Sequence, residues 1–226
     1  MKYEYLLFNA VIFIIPFIQS FEKKVHFVSR WKYAFPATLI VLVPFIIWDA
    51  LAAHRHWWFN DAYTMDVRLA GLPIGEWLFF ITVPFACLFI WEILLTFVKP
   101  RKYSFISSIR FGLVLFLPLG LWVFAYGKEY TGLVMVALAV ALVLDVLLKT
   151  EIFPDRRFQI FVLILIGIIL IFNGYLTARP IVLYDPIYQL DFRITTIPVE
   201  DFFYGISHLF MVITTFEALK RRGTTA

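Results

Sequence analysis

The sequence predicts an all-α integral membrane protein with seven transmembrane helices. They form two parallel three-helix repeats, spans one to three and five to seven, joined by span four. Three observations lead there. Of the 226 residues, 62% are hydrophobic and only 16% charged, with mean hydropathy +0.85; a soluble domain carries about a quarter charged residues, so this chain cannot cover a water-facing surface. Seven apolar stretches approach the ~20 residues a spanning helix needs: 3–20, 32–52, 77–98, 105–126, 130–149, 158–177 and 202–220. One ungapped offset also relates the two ends of the chain. Pro73 and Pro198 lie 125 positions apart, and the same step carries Glu4-Tyr5 to Glu129-Tyr130, Asn60 to Asp185, Tyr63 to Tyr188, Glu76 to Asp201 and Glu92 to Glu217. A repeat of this kind marks a duplication.

The opening Met1-Lys2-Tyr3-Glu4-Tyr5 lacks the basic region and small-residue cleavage site of a secretory signal, so the first stretch is expected to stay as a membrane helix. A closed barrel, the other way to span a bilayer, would need two-residue alternation that these unbroken runs lack. Between spans one and two lie Lys23, Lys24, Arg30 and Lys32. Lys99, Arg101 and Lys102 follow span three, Lys149, Arg156 and Arg157 follow span five, and Lys220, Arg221 and Arg222 end the chain. The opposite side holds the smaller set Lys2, Arg55, Arg68, Lys128, Arg179 and Arg193. The positive-inside rule then puts the N-terminus outside and the C-terminus in the cytoplasm. A unit of three spans leaves the next unit inverted, and span four turns the chain back, which makes the repeats parallel. The units are residues 1–103 and 128–226, with a linking helix at 104–127. The net charge of +4 is spent on topology and does not point to nucleic acid; the partner it does imply is the lipid bilayer.

The two long connections, 53–76 and 178–201, fall on the outer side. Each carries an aromatic segment, Trp57-Trp58-Phe59-Asn60-Asp61-Ala62-Tyr63 and Val182-Leu183-Tyr184-Asp185-Pro186-Ile187-Tyr188, suited to the membrane interface. Each then runs into a proline and an acid: Leu72-Pro73-Ile74-Gly75-Glu76 and Ile197-Pro198-Val199-Glu200-Asp201. Proline and an acid in the first turn are ordinary helix-start chemistry. Their recurrence at one spacing, at a depth where an ionisable group is costly, points to function. Asp49, next to Trp48 near the outer end of span two, can face the same place; its repeat mate is Gly174, beside Asn173. Glu92, Glu217 and Asp145 lie toward the other membrane face and are expected to anchor to basic residues such as Lys99 or Lys220. His54 and His56 bring too few ligands for a metal, so no metal site is expected. His208, two turns below Asp201 on the same face, is read as hydrogen-bonding within the bundle or relaying protons, the structural role being favoured. The single Cys87 forms no internal disulfide. Nucleotide fingerprints and a Gly-x-Ser-x-Gly elbow are absent, which leaves acid–base chemistry on a lipid-soluble substrate with no bound redox cofactor.

The Trp/Phe-Asn segment, Tyr63 and then Leu72-Pro73-Ile74-Gly75-Glu76-Trp77-Leu78-Phe79-Phe80 resemble the lycopene cyclase domain of the small, heterodimeric-type carotenoid cyclases. Members occur as two separate membrane subunits or as a fused pair, and this chain looks like the fused form over nearly its whole length. The second motif matches the family's proline–acid–acid signature. The first departs from it at Gly75, where an acid is frequent. The resemblance implies conversion of lycopene through γ-carotene to β-carotene: a proton adds at C2 of the ψ end, the C5=C6 bond attacks the C1 cation, and C6 loses a proton. Buried acids can move those protons and aromatic faces can stabilise the cation. Glu76, Glu200, Asp201 and Asp49 are thus the candidate catalytic acids, with the Glu200/Asp201 pair expected to dominate. Trp48, Trp58, Phe59, Asn60, Tyr63 and Trp77 in the first unit, and Tyr184, Asp185, Tyr188 and Phe202 in the second, are the candidate residues for binding lycopene or another carotenoid.

Two variants remain open at this point, a cyclase forming an ε ring and one acting on longer carotenoids. A transporter on parallel repeats would line mid-membrane helices with polar or small residues, whereas these spans are rich in Phe, Leu, Ile and Val. A retinal protein needs a lysine deep in span seven, where only Lys220 stands, at the end.

Overall fold

A computed structural model describes residues 2–225. Six helical stretches among them are long and apolar enough to cross a membrane. They are Phe27–Ala52, whose α-helical part is α2 (Trp31–Ala52); α3 (Ile74–Phe97); Ser104–Ala125, made of α4 (Ser104–Leu113) and α5 (Phe116–Ala125); α6 (Glu129–Leu147); Arg156–Ala178, made of α7 (Arg156–Ile168), a π-helical turn Ile169–Asn173 and α8 (Gly174–Ala178); and α9 (Val199–Thr225), apolar over Val199–Gly223. The first helix, α1 (Glu4–Gln19), is apolar but has 16 residues, about 24 Å against a hydrocarbon thickness of about 30 Å. It ends three residues after Pro16, where the Ser20 hydroxyl and amide both donate to the Pro16 carbonyl.

An all-helical expectation needs one amendment. The two long connections are not plain loops, because their backbone groups must find partners. They form short antiparallel strands: β1 (Trp57–Phe59), β2 (Arg68–Leu69), β3 (Leu72–Pro73), β4 (Val182–Tyr184), β5 (Arg193–Ile194) and β6 (Ile197–Pro198). Arg68 pairs with Pro73, and 125 residues on Arg193 pairs with Pro198. The β2–β3 turn is Ala70-Gly71, both at positive φ, as a two-residue hairpin turn requires. β1 pairs with β4 across the two repeats, with Trp57 opposite Tyr184, Trp58 opposite Leu183 and Phe59 opposite Val182. Applying the 125-residue step to this ladder returns the same ladder.

The helices α3 and α9 are the most enclosed. α1 and α2 pack on α3, while α2 and α6 pack on α9. α5 packs closely on α6, where a side chain on Gly132 would meet the Gly120 carbonyl at 2.5 Å; small residues let membrane helices approach in this way. At the end of the bundle away from the strands, charged groups find partners as expected. Lys220 reaches Glu92 at 2.5 Å and Glu217 at 2.9 Å. Asp145 accepts from Arg110 at 3.3 Å, from Thr150 at 2.5 Å and from two backbone amides.

Candidate active site

Three acids meet where α2, α3 and α9 begin or end beneath the strands. Asp49, Glu76 and Asp201 are 3%, 7% and 6% exposed. Tyr5 donates to Glu76 Oε2 at 2.5 Å, and Tyr130 donates to Asp201 Oδ1 at 2.6 Å. Asp201 Oδ2 accepts from Tyr184 at 2.7 Å and Asn173 at 2.6 Å. Tyr204 donates to Asp49 Oδ1 at 2.8 Å, and Asp49 and Glu76 line the same cavity. Burial pushes the Tyr184 phenol well above its ordinary pKa, which keeps it a donor to Asp201.

Local folding explains how these groups are held. Tyr5 is fixed by Asn9, whose amide donates to the Tyr5 and Gly75 carbonyls at 2.9 and 3.0 Å while its oxygen accepts from Thr82 at 2.7 Å. Gly75 lies under the Tyr5 ring, where a Cβ would stand 2.7 Å from Tyr5 Cδ1. That contact explains the missing acid of the first motif: no side chain fits there while Tyr5 reaches Glu76. In the second unit the π-helical turn presents Asn173 to Asp201. Such turns recur at functional sites.

The acids close the end of a cavity of about 320 Å³ that lies beneath the strands. Along α3 it is lined by Glu76, Phe79, Val83, Ala86, Cys87 and Ile90, a three-and-four spacing that marks one helix face. From Glu76 to Ile90 that face runs about 21 Å. Across it stand Tyr204, Gly205, His208 and Leu209 of α9, and Leu165, Ile168, Ile169 and Phe172 of α7 and its π turn. Val11 and Ile15 of α1 line the cavity and are also exposed on the outside of the bundle. The lining is apolar and aromatic apart from the acids, their phenol and amide donors, and His208. Contrary to expectation, His208 Nε2 is buried without a hydrogen-bond partner among the described residues; the ring packs between Phe45 and Phe80 at 4.5 and 5.2 Å.

Of the residues singled out from the sequence, Asp49, Glu76, Asp201, Phe59 and Tyr184 line this cavity. Glu200 does not. It is 1% exposed, accepts from Thr131 at 2.6 Å and the Leu190 amide at 2.8 Å, and lines a separate pocket of about 190 Å³ against Phe116 and Phe203. The remaining candidates support the frame. Trp48 packs on Tyr204 at 5.0 Å, and Trp77 donates to the Leu69 carbonyl at 3.0 Å. Trp58 is 39% exposed on the strand surface. Asn60 accepts from the Ala62 amide and Asp185 from the Ile187 amide, each shaping a turn. Tyr63 lies under Arg179 and Tyr188 under Arg55, and Phe202 is buried in the core. Sequence reading missed Tyr5, Tyr130, Tyr204 and Asn173 as the donors that position the acids. The recurrence of Glu4-Tyr5 as Glu129-Tyr130 was the available signal. Those two glutamates bind across the repeats, Glu4 to Tyr175 and Arg179 at 2.6 and 2.8 Å, and Glu129 to Arg55 and His56.

The sequence model of the family described as lycopene cyclase matches residues 2–94 and again residues 127–219. The chain therefore belongs to the lycopene cyclase family, as a fused pair of its domains, and is a carotenoid cyclase of the membrane. Comparison with curated proteins gives no match, and neither does comparison with solved structures.

Proposed function

We propose that this protein is a lycopene β-cyclase that closes the ψ ends of lycopene to give γ-carotene and then β-carotene. The observation that carries the reading is the convergence of Asp49, Glu76 and Asp201 at one end of a deep apolar cavity. The Glu76–Asp49 pair, holding one proton between two carboxyls, delivers it to C2. The C1 cation is attacked by the C5=C6 bond, and loss of the C6 proton returns the pair to its starting state. A proton is gained and a proton lost, so no redox equivalent is consumed and no cofactor is called for. Asp201, held by three donors, stays an acceptor and stabilises the cation electrostatically, together with the faces of the surrounding rings. Apolar walls keep water from the cation.

In this reading α1 is a seventh, short span, and the two units, 1–103 and 128–226, lie parallel across the linking helix 104–127. The strands and acids face outward, with the N-terminus outside and the C-terminus in the cytoplasm. The test is expression in lycopene-accumulating cells followed by pigment analysis, and then conversion by purified protein without added flavin or nicotinamide. β-Carotene is the expected product. An ε ring would mean that the proton leaves C4 instead. Unchanged lycopene, or an absolute need for reduced flavin, would overturn the mechanism.

A further inference from the structure

Two repeats and a substrate with two identical ends invite the idea of two sites. The side chains argue otherwise. Both tyrosine–acid pairs, Tyr5–Glu76 and Tyr130–Asp201, line the same cavity. Below the acids that cavity follows only one of the two repeat-related courses, the one between α1, α3 and the α7 stretch. The counterpart course, between α6, α9 and α2, is filled. Phe45 and Phe80 occupy it, with Phe45 against Tyr204 at 5.3 Å and Phe80 fully buried. The 125-residue step carries Phe45 to Leu170, which points out of the bundle at 40% exposure, and Phe80 to Gly205, which lines the cavity. Two phenylalanines close one course where a turned-away leucine and a glycine leave the other open. The pocket at Glu200 does not replace it, since the Tyr130–Asp201 pair faces the other way.

Resting on the cyclase reading above, we infer that the protein has one active site used twice, with Gly205 as the residue that keeps it open, and that γ-carotene must leave and turn end for end before its second ring forms. The acids sit at the outer end alone. A polyene seated with one ψ end against them extends its other end down the cavity, away from every acid of the site. A rigid conjugated chain cannot reverse within those walls. Val11 and Ile15, which both line the cavity and face outward, mark an edge through which it passes into the bilayer. Each ring closure is the same balanced step: C2–H and C1–C6 form, and C6–H breaks.

The test is isotope dilution with wild-type protein in proteoliposomes, given labelled lycopene and a tenfold excess of unlabelled γ-carotene. One site with release predicts label accumulating in the γ-carotene pool and early β-carotene that is almost unlabelled. Early β-carotene carrying the full label would overturn the inference while leaving the cyclase reading intact. Conversion of neither substrate would remove the cyclase reading and this inference with it. A second arm uses Gly205→Ala and Gly205→Leu. A Cβ at Gly205 meets the end of the Ile169 side chain at 3.1 Å, a flexible group that can give for alanine but not for leucine. Gly205→Leu is expected to slow lycopene and γ-carotene conversion by the same factor, of order tenfold or more. Arrest at γ-carotene, with the first ring still formed at the wild-type rate, would show that a second site exists.

Discussion

Tyr5 and Glu76 stand 71 residues apart and are joined by a 2.5 Å hydrogen bond; Tyr130 and Asp201 stand 71 residues apart and are joined at 2.6 Å. The same bond has been kept in both halves of a duplicated chain, yet its surroundings differ. Asp201 has two further donors, Tyr184 and Asn173, whereas Glu76 has the Asp49 carboxyl beside it. The two carboxylates are therefore not equivalent.

That difference sets the first expectation. A hydrogen bond to a charged group is worth about 1.5–3 kcal/mol, so Tyr5→Phe should cut turnover roughly tenfold to a hundredfold. Tyr130→Phe should cost less, since Asp201 retains Tyr184 and Asn173. Turnover at matched protein levels measures both, and a larger loss for Tyr130→Phe would contradict the ranking.

The acids themselves should separate by cavity. Glu76→Gln and Asp49→Asn are expected to lose about 10²–10⁴-fold in rate, the usual range for acid–base groups, and Asp201→Asn about 10²–10³-fold, as for a group that stabilises charge electrostatically. Glu200→Gln, whose side chain faces the other pocket, should keep most activity. Pigment ratios in a lycopene background give the answer. A Glu200→Gln variant as inactive as Asp201→Asn would return the reaction to the paired acids of the second motif.

At the opposite end, Arg110 and Asp145 form an ion pair with both side chains buried. Removing one partner of such a pair typically costs about 3–5 kcal/mol. Arg110→Ala should therefore lower the melting temperature in detergent while the surviving protein turns over normally. A change in turnover with no loss of stability would tie this pair to the chemistry.

Topology is open to a direct check. Reporter fusions near Asp66 and Asp191 should read external, and those after Lys102 and Arg157 cytoplasmic. A fusion at Asp66 reading the same side as one at Lys102 would remove the parallel-repeat arrangement.

The membrane class, the duplication and most spans were legible because they rest on long apolar runs and one fixed offset, which survive in the sequence without any packing information. Asp49, Glu76 and Asp201 were legible because a charge at the edge of a long apolar run stands out. Direction was not. Glu200 and Asp201 are neighbours, and successive helix positions are turned about 100° apart. Only packing decides that Asp201 meets Tyr130 while Glu200 meets Thr131. The aromatic residues of the two long connections were read as ligands for substrate, but a strand sends alternate side chains to opposite faces. Phe59 and Tyr184 thus reach the cavity, while Trp58 faces out. The strands escaped notice because two or three residues carry no readable period. Gly75 looked like a defect in a motif, and only the Tyr5 ring above it gives the reason.

The ladder joining Trp57–Phe59 to Val182–Tyr184 has a history written in its register. An antiparallel pair centred on repeat-equivalent residues, Trp58 and Leu183, is what two identical chains make when the same edge meets itself, an isologous contact. A lone ancestral unit meeting its twin this way would have had to place one residue type at both Phe80 and Gly205, and so would have had both courses filled or both open. Within one chain that constraint does not hold: one half supplies bulk at Phe80 and the other space at Gly205, while the strand pairing holds them in register.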